Sequence, residues 1–86
     1  MSQIIFHLTE TMARYKVSVK ALSEELGIST SSIAHWRSGK AKPSLDRLNE
    51  VMSALSKIGD PEQIQAFPLR LSDVIEWRVN KDENLN

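Results

Sequence analysis

Apolar residues change their period several times along this 86-residue chain, and each change marks an element. Ile4-Ile5-Phe6 is a short β-branched and aromatic run that suits a strand. Leu8, Met12 and Tyr15 then recur at i, i+4 and i+7, which predicts a first helix from about Thr9 to Tyr15. Thr9 is its expected cap, with Glu10 in the first turn. Ser18 caps a second helix that turns Leu22 and Leu26 inward. Gly27 stops it, because a corner of this kind needs positive φ. Ser29 caps a third helix, which buries Ile33 and Trp36 and ends before Gly39. The segment from Ser38 to Pro43 is a loop. Ser44 caps a fourth helix, where Leu45, Leu48, Val51, Met52 and Leu55 keep the helical period until Gly59 closes it by about Ile58. Asp60-Pro61-Glu62 starts a fifth helix, kept short by Pro68. Val74-Ile75-Glu76-Trp77 can form a strand that pairs with Ile4-Ile5-Phe6. The expected fold is mostly α: a five-helix bundle with a small β pairing between the terminal segments. One domain covers residues 1–78, followed by a polar, frayed tail over 79–86.

The unit over residues 19–37 carries the most information. Its apolar positions (Leu22, Leu26, Ile28, Ile33 and Trp36) form one base. Thr30, Ser31, Ser32, Ala34 and His35 must then point outward. A short polar helix, convex and rigidly held on a small apolar base, has the shape that enters a DNA major groove. On the third helix, about residues 30–37, Thr30, Ser31 and His35 lie opposite Ile33 and Trp36. The hydroxyls suit several base-edge patterns, the threonine methyl can touch a thymine methyl, and His35 can donate to guanine N7 or O6. Arg, Asn and Gln are missing from these positions, so strong bidentate contacts are absent. Discrimination between bases should be modest, with more of the specificity read from DNA shape.

From Val17 to Leu55 the chain resembles the Cro/phage-repressor type of helix-turn-helix domain, the lambda-repressor-like or XRE-type fold. Leu22, Leu26-Gly27-Ile28-Ser29, Ile33, Trp36, Gly39-Lys40, Pro43-Ser44-Leu45, Leu48 and Ala54-Leu55 carry the likeness. Ile4 to Ser18 and Ser72 to Trp77 are similar to a subgroup with short terminal strands. The resemblance implies sequence-specific binding of double-stranded DNA and control of transcription, usually by a dimer on a two-fold operator. By position it implies base contacts from Thr30, Ser31 and His35, and phosphate contacts from Ser18, Ser29, Ser38 and Lys40. Three positions depart from the pattern. Val19 stands where many members carry a phosphate-holding Gln, leaving Lys20 to supply the charge. Ser23 replaces a small alanine. Arg37 replaces an acid that in some members pairs with an arginine of the first helix.

Charge and composition adjust this picture. The formal net charge is zero, yet residues 14–42 hold six cations against Glu24 and Glu25. That excess brackets the two-helix unit, where a phosphate backbone would lie, and makes Lys40 and Lys42 a candidate phosphate clamp. The chain has no cysteine, so thiolate metal sites and disulfides are excluded. No spacing of the two histidines suggests a metal, no serine has a base and an orienting acid, and the three glycines form no phosphate loop. We therefore expect no enzyme, no metal and no cofactor. The absence of a secretory pattern or membrane-length run points to a cytoplasmic protein. A repressor is favoured over an activator, with double-stranded DNA and a second copy of the chain as partners. Ile64, Phe67, Leu69, Leu71, Val74, Ile75 and Trp77 either finish the monomer core or leave some members for a two-fold interface. A different class of function stays open: an antitoxin-like or adaptor protein working through protein contacts of its acidic C-terminal half.

Overall fold

The computed structural model describes residues 2–79. Its elements are β1 (Gln3–Phe6), α1 (Leu8–Arg14), α2 (Val19–Leu26), α3 (Thr30–Ser38), α4 (Leu45–Ile58), α5 (Pro61–Ala66), α6 (Leu71–Val74) and β2 (Ile75–Arg78). The caps at four helix starts are those written in the sequence. The side chains of Ser18, Ser29, Ser44 and Asp60 accept from the backbone N–H groups of Ala21, Ser32, Arg47 and Gln63. Gly27 and Gly39 end α2 and α3 at φ of 67° and 80°, a left-handed conformation that a Cβ would strain.

The core lies between the helices. Leu8, Tyr15, Leu22, Ile33, Val51 and Leu55 are fully buried there. Tyr15 organises the end of α1: its hydroxyl donates to the Phe67 carbonyl at 2.6 Å, and its own carbonyl accepts from Asp60 N–H at 2.8 Å. The chain thereby holds the turn into α5 and the segment leaving it against α1. Thr11, also buried, donates to the carbonyls of His7 (2.6 Å) and Asp73 (3.0 Å), tying α1 to α6.

Several expectations need correction. The bundle has six helices among the described residues, not five, because one turn of helix precedes β2. The Asp73 carboxylate accepts from Arg70 N–H at 2.8 Å, and the Arg70 carbonyl accepts from Asp73 N–H at 2.9 Å. This local closure takes Val74 out of the strand and buries it completely. Thr9 does not cap α1: the helix begins one residue earlier, after His7, and leaves Thr9 inside its first turn. Leu45 keeps the helical period but is 82% exposed, because it sits at the open start of α4. Gly59 does close α4, yet in extended backbone (φ −65°). Its need is for space: a Cβ there would stand 2.5 Å from the Leu55 carbonyl oxygen and 3.2 Å from Tyr15 Cβ. Of the tail expected over 79–86, residues 80–86 lie outside the described residues.

The terminal strands pair antiparallel, with Gln3 opposite Arg78, Ile4 opposite Trp77, Ile5 opposite Glu76 and Phe6 opposite Ile75. Alternation puts Ile4, Phe6, Ile75 and Trp77 on one face. Phe6 carries this face to the bundle by meeting Trp36 edge-on, 6.3 Å between ring centroids. His7 N–H donates to the Val74 carbonyl at 2.6 Å, extending the ladder by one bond.

Candidate nucleic-acid interface

The corner between α2 and α3 is built from both sides. Gly27 N–H and Ile28 N–H both donate to the Ser23 carbonyl, at 2.9 and 3.2 Å. The Ser23 hydroxyl reaches across the corner and donates to the Ile28 carbonyl at 2.5 Å. Ser23 thus does more than stay small: it fastens the end of α2 to the start of α3. With Ile33 fully buried and Trp36 8% exposed, α3 is held by its inner face and cannot roll. Thr30, Ser31, Ala34 and His35 are exposed on its outer face.

The residues expected to contact a phosphate backbone surround this face. Ser18, Lys20, Ser29, Ser38, Lys40 and Lys42 are all exposed. Ser18 and Ser29 accept cap bonds, which leaves the Ser18 hydroxyl proton able to donate outward. Ser29 Oγ also lies 3.1 Å from Ser32 Oγ. Ser38 is more committed, donating to the His35 carbonyl at 3.2 Å and accepting from Lys40 N–H at 3.4 Å. That pair of bonds shapes the loop after α3, along with Ala41 N–H to His35 O at 3.2 Å.

Charge is distributed in favour of an anion. Among the described residues Lys16, Lys20, Arg37, Lys40 and Lys42 form no ion pair. Glu25, one of the two acids of α2, is met by Lys57 at 3.1 Å. The acid–arginine pair that Arg37 displaces has a different successor: Arg37 Nε–H donates to Thr9 Oγ1 at 3.3 Å, linking the end of α3 to α1.

The sequence profile of the Cro/C1-type helix-turn-helix DNA-binding domain matches residues 7–60. The chain belongs to that family. The match runs from the cap of α1 to the cap of α5 and leaves out β1, α5, α6 and β2. No curated protein and no solved structure matches the chain significantly. Among the described residues, no helix is long and apolar enough to cross a membrane.

Sequence reasoning missed the most concentrated polar cluster of this family member, and it lies outside the α2–α3 unit. Both ring nitrogens of His7 meet carboxylates at 2.6 Å, Nδ1 to Glu10 and Nε2 to Glu76. Arg78 donates to the same Glu76 through Nη2 and Nε at 3.0 and 3.2 Å. The bonds to Glu76 and then Glu10 raise the His7 pKa above its ordinary value. Arg78, and after it His7, hold the Glu76 carboxyl down at about 2. No spacing signal joins residues 7 and 76; only the strand register brings them together.

Proposed function

We propose that the chain is a sequence-specific, double-stranded-DNA-binding transcriptional repressor that lays α3 in the major groove. Thr30, Ser31 and His35 read base edges there. Lys20, Lys40 and Lys42, with Ser18, Ser29 and Ser38, hold the flanking phosphates. The observation that carries this reading is the immobilised α3 with a polar outer face, ringed by cations that no carboxylate of the described residues neutralises. A surface of that kind gains affinity by releasing counterions from DNA, and its short hydroxyl side chains tolerate close approach to base edges. The protein acts as a dimer on a two-fold operator, because one helix of this size covers only a half-site. Repression follows from occupancy of the operator itself.

Titration onto random duplex at several salt concentrations tests the phosphate contacts. Lys40→Ala and Lys42→Ala should each make the log-affinity against log-salt slope shallower by roughly one unit. The base contacts are tested by selecting bound sites from a random DNA pool. Ser31→Arg should change the selected sequence; identical sites from both proteins would remove α3 from the reading role.

A further inference from the structure

Arg37 is the only Lys or Arg of α3, and the interface proposed above does not use it. Its side chain is exposed and, among the described residues, forms no ion pair. Thr30 lies seven positions before it. Seven residues are close to two whole turns, so both side chains leave α3 along nearly the same flank. That flank meets α1. Arg37 Nε–H donates to Thr9 Oγ1 at 3.3 Å, and both Nη atoms are left without a partner among the described residues. A guanidinium held through Nε presents its Nη atoms as a fork, which matches two oxygens of one phosphate. Arg37 also shares an open groove with Lys42. The other charged groups lining it are already matched: His7 with Glu10 at 2.6 Å, and Arg78 with Glu76 at 3.0 Å. Arg37 and Lys42 are therefore what this groove offers an anion.

We propose that Arg37 is a further DNA-backbone contact, gripping one phosphate through its Nη atoms beside Lys42, and that Thr9 is the positioning residue that aims it. The proposal rests on the DNA-binding reading given above and adds to it one contact and its support. Distance favours a phosphate over a base. Two turns of helix carry Arg37 about 10 Å along the axis from Thr30, and the major groove is about 12 Å wide. With Thr30 at a base edge, a long side chain from the last turn of α3 comes to the wall of the groove, where the phosphates are. The tether matters because an arginine loses rotamer freedom when it grips an anion. The bond to Thr9 has already removed part of that freedom in the free protein. Its acceptor is itself fixed, since Thr9 sits in the first turn of α1 beside the fully buried Leu8.

Titration of the full chain onto random duplex at several salt concentrations tests both residues. Arg37→Gln should make the log-affinity against log-salt slope shallower by roughly one unit. It should leave the sequence selected from a random DNA pool unchanged, as loss of a backbone contact does. Arg37→Lys keeps the charge and loses the fork and the tether, so the slope should hold while affinity falls about threefold to tenfold. Thr9→Val should also hold the slope and lower affinity about threefold. In the Arg37→Gln background the same Thr9→Val change should cost nothing further, because Thr9 acts through the guanidinium. Stoichiometric titration gives the active fraction of each variant, so one that is partly unfolded still reports its slope. A wild-type slope in Arg37→Gln, a changed selected sequence, or a Thr9→Val loss that adds in full to that of Arg37→Gln each overturn the proposal. Slopes that respond to Lys40→Ala and Lys42→Ala but not to Arg37→Gln remove this contact alone, whereas a wild-type chain with no affinity for duplex removes the DNA reading and the contact with it.

Discussion

Trp36 is 8% exposed and meets Phe6 edge-on; Trp77 is 66% exposed and shares a sheet face with Ile4. The two rings stand for two regions of one small molecule. Around Trp36, apolar side chains point in, short polar ones point out, and lysines flank the outer face. Around Trp77, apolar side chains point out and the charges (Glu76, Arg78 and His7) are already matched with one another. A phosphate backbone suits the first surface, whereas the second leaves no charge of its own unmatched among these three residues. The family profile covers the first region and omits the strands of the second. The difference teaches that burial, rather than residue type, decides what a tryptophan does. The same ring is a wedge where helices close over it and an open apolar surface where they do not.

The comparison breaks most visibly at the tryptophans themselves. Trp36→Ala should lower unfolding free energy by about 3–5 kcal/mol, because it empties a packed site beneath α3. Trp77→Ala should stay within about 0.5 kcal/mol, because its ring is largely exposed. Urea melts of both variants decide this, and equal losses would erase the distinction. Gly59→Ala should cost about 1–3 kcal/mol, since the added methyl meets a backbone oxygen and the buried Tyr15. The same urea melt reads it, and a neutral outcome would mean that the turn into α5 yields freely. Lys16 has the left-handed φ of 57° without being glycine. Lys16→Gly should raise stability by about 0.5 kcal/mol, the relief of backbone strain exceeding the added chain entropy.

The smallest effect sharpens the second region. Protonated His7 donates to two carboxylates, so its contribution is complete below its ordinary pKa of 6.5 and is lost as pH rises through the raised value. Glu10 and Glu76 act in the opposite sense. Their contributions are present above the ordinary 4.5 and fade as pH falls, for Glu76 through about 2. Melting temperature should therefore be highest between these limits, from about pH 4.5 to 6.5, and decline on both sides. His7→Gln should flatten the decline on the alkaline side. An unchanged alkaline slope in that variant would show that the network does not couple β2 to α1.

Much of the α2–α3 region was legible because its signals are local. Ser18, Ser29 and Ser44 lie three residues from the N–H groups they accept, and Gly27 and Gly39 meet a backbone requirement at their own positions. Ile33 and Trp36 share a face by helical spacing alone. Exposure of Thr30, Ser31 and His35 follows from that burial. The same local logic misread Leu45, which keeps the period of α4 while the molecule leaves its end uncovered. It also misread Thr9, a good capping residue two positions after the cap at His7, and Val74, a good strand residue captured by a one-turn helix.

By itself, then, the chain determined where four helices are capped, which face of α3 is polar, and that its termini hold strand-forming runs. Each depends on atoms within a few residues of one another, where spacing is set by covalent geometry. Tertiary structure decided the rest: the register that sets Glu76 beside His7, the Thr9–Arg37 link, the Tyr15–Phe67 bond and the exposure of Trp77. These contacts join residues 28 to 69 positions apart. No periodicity encodes such a separation, because the chain between the partners can turn in many ways until the core closes and selects one.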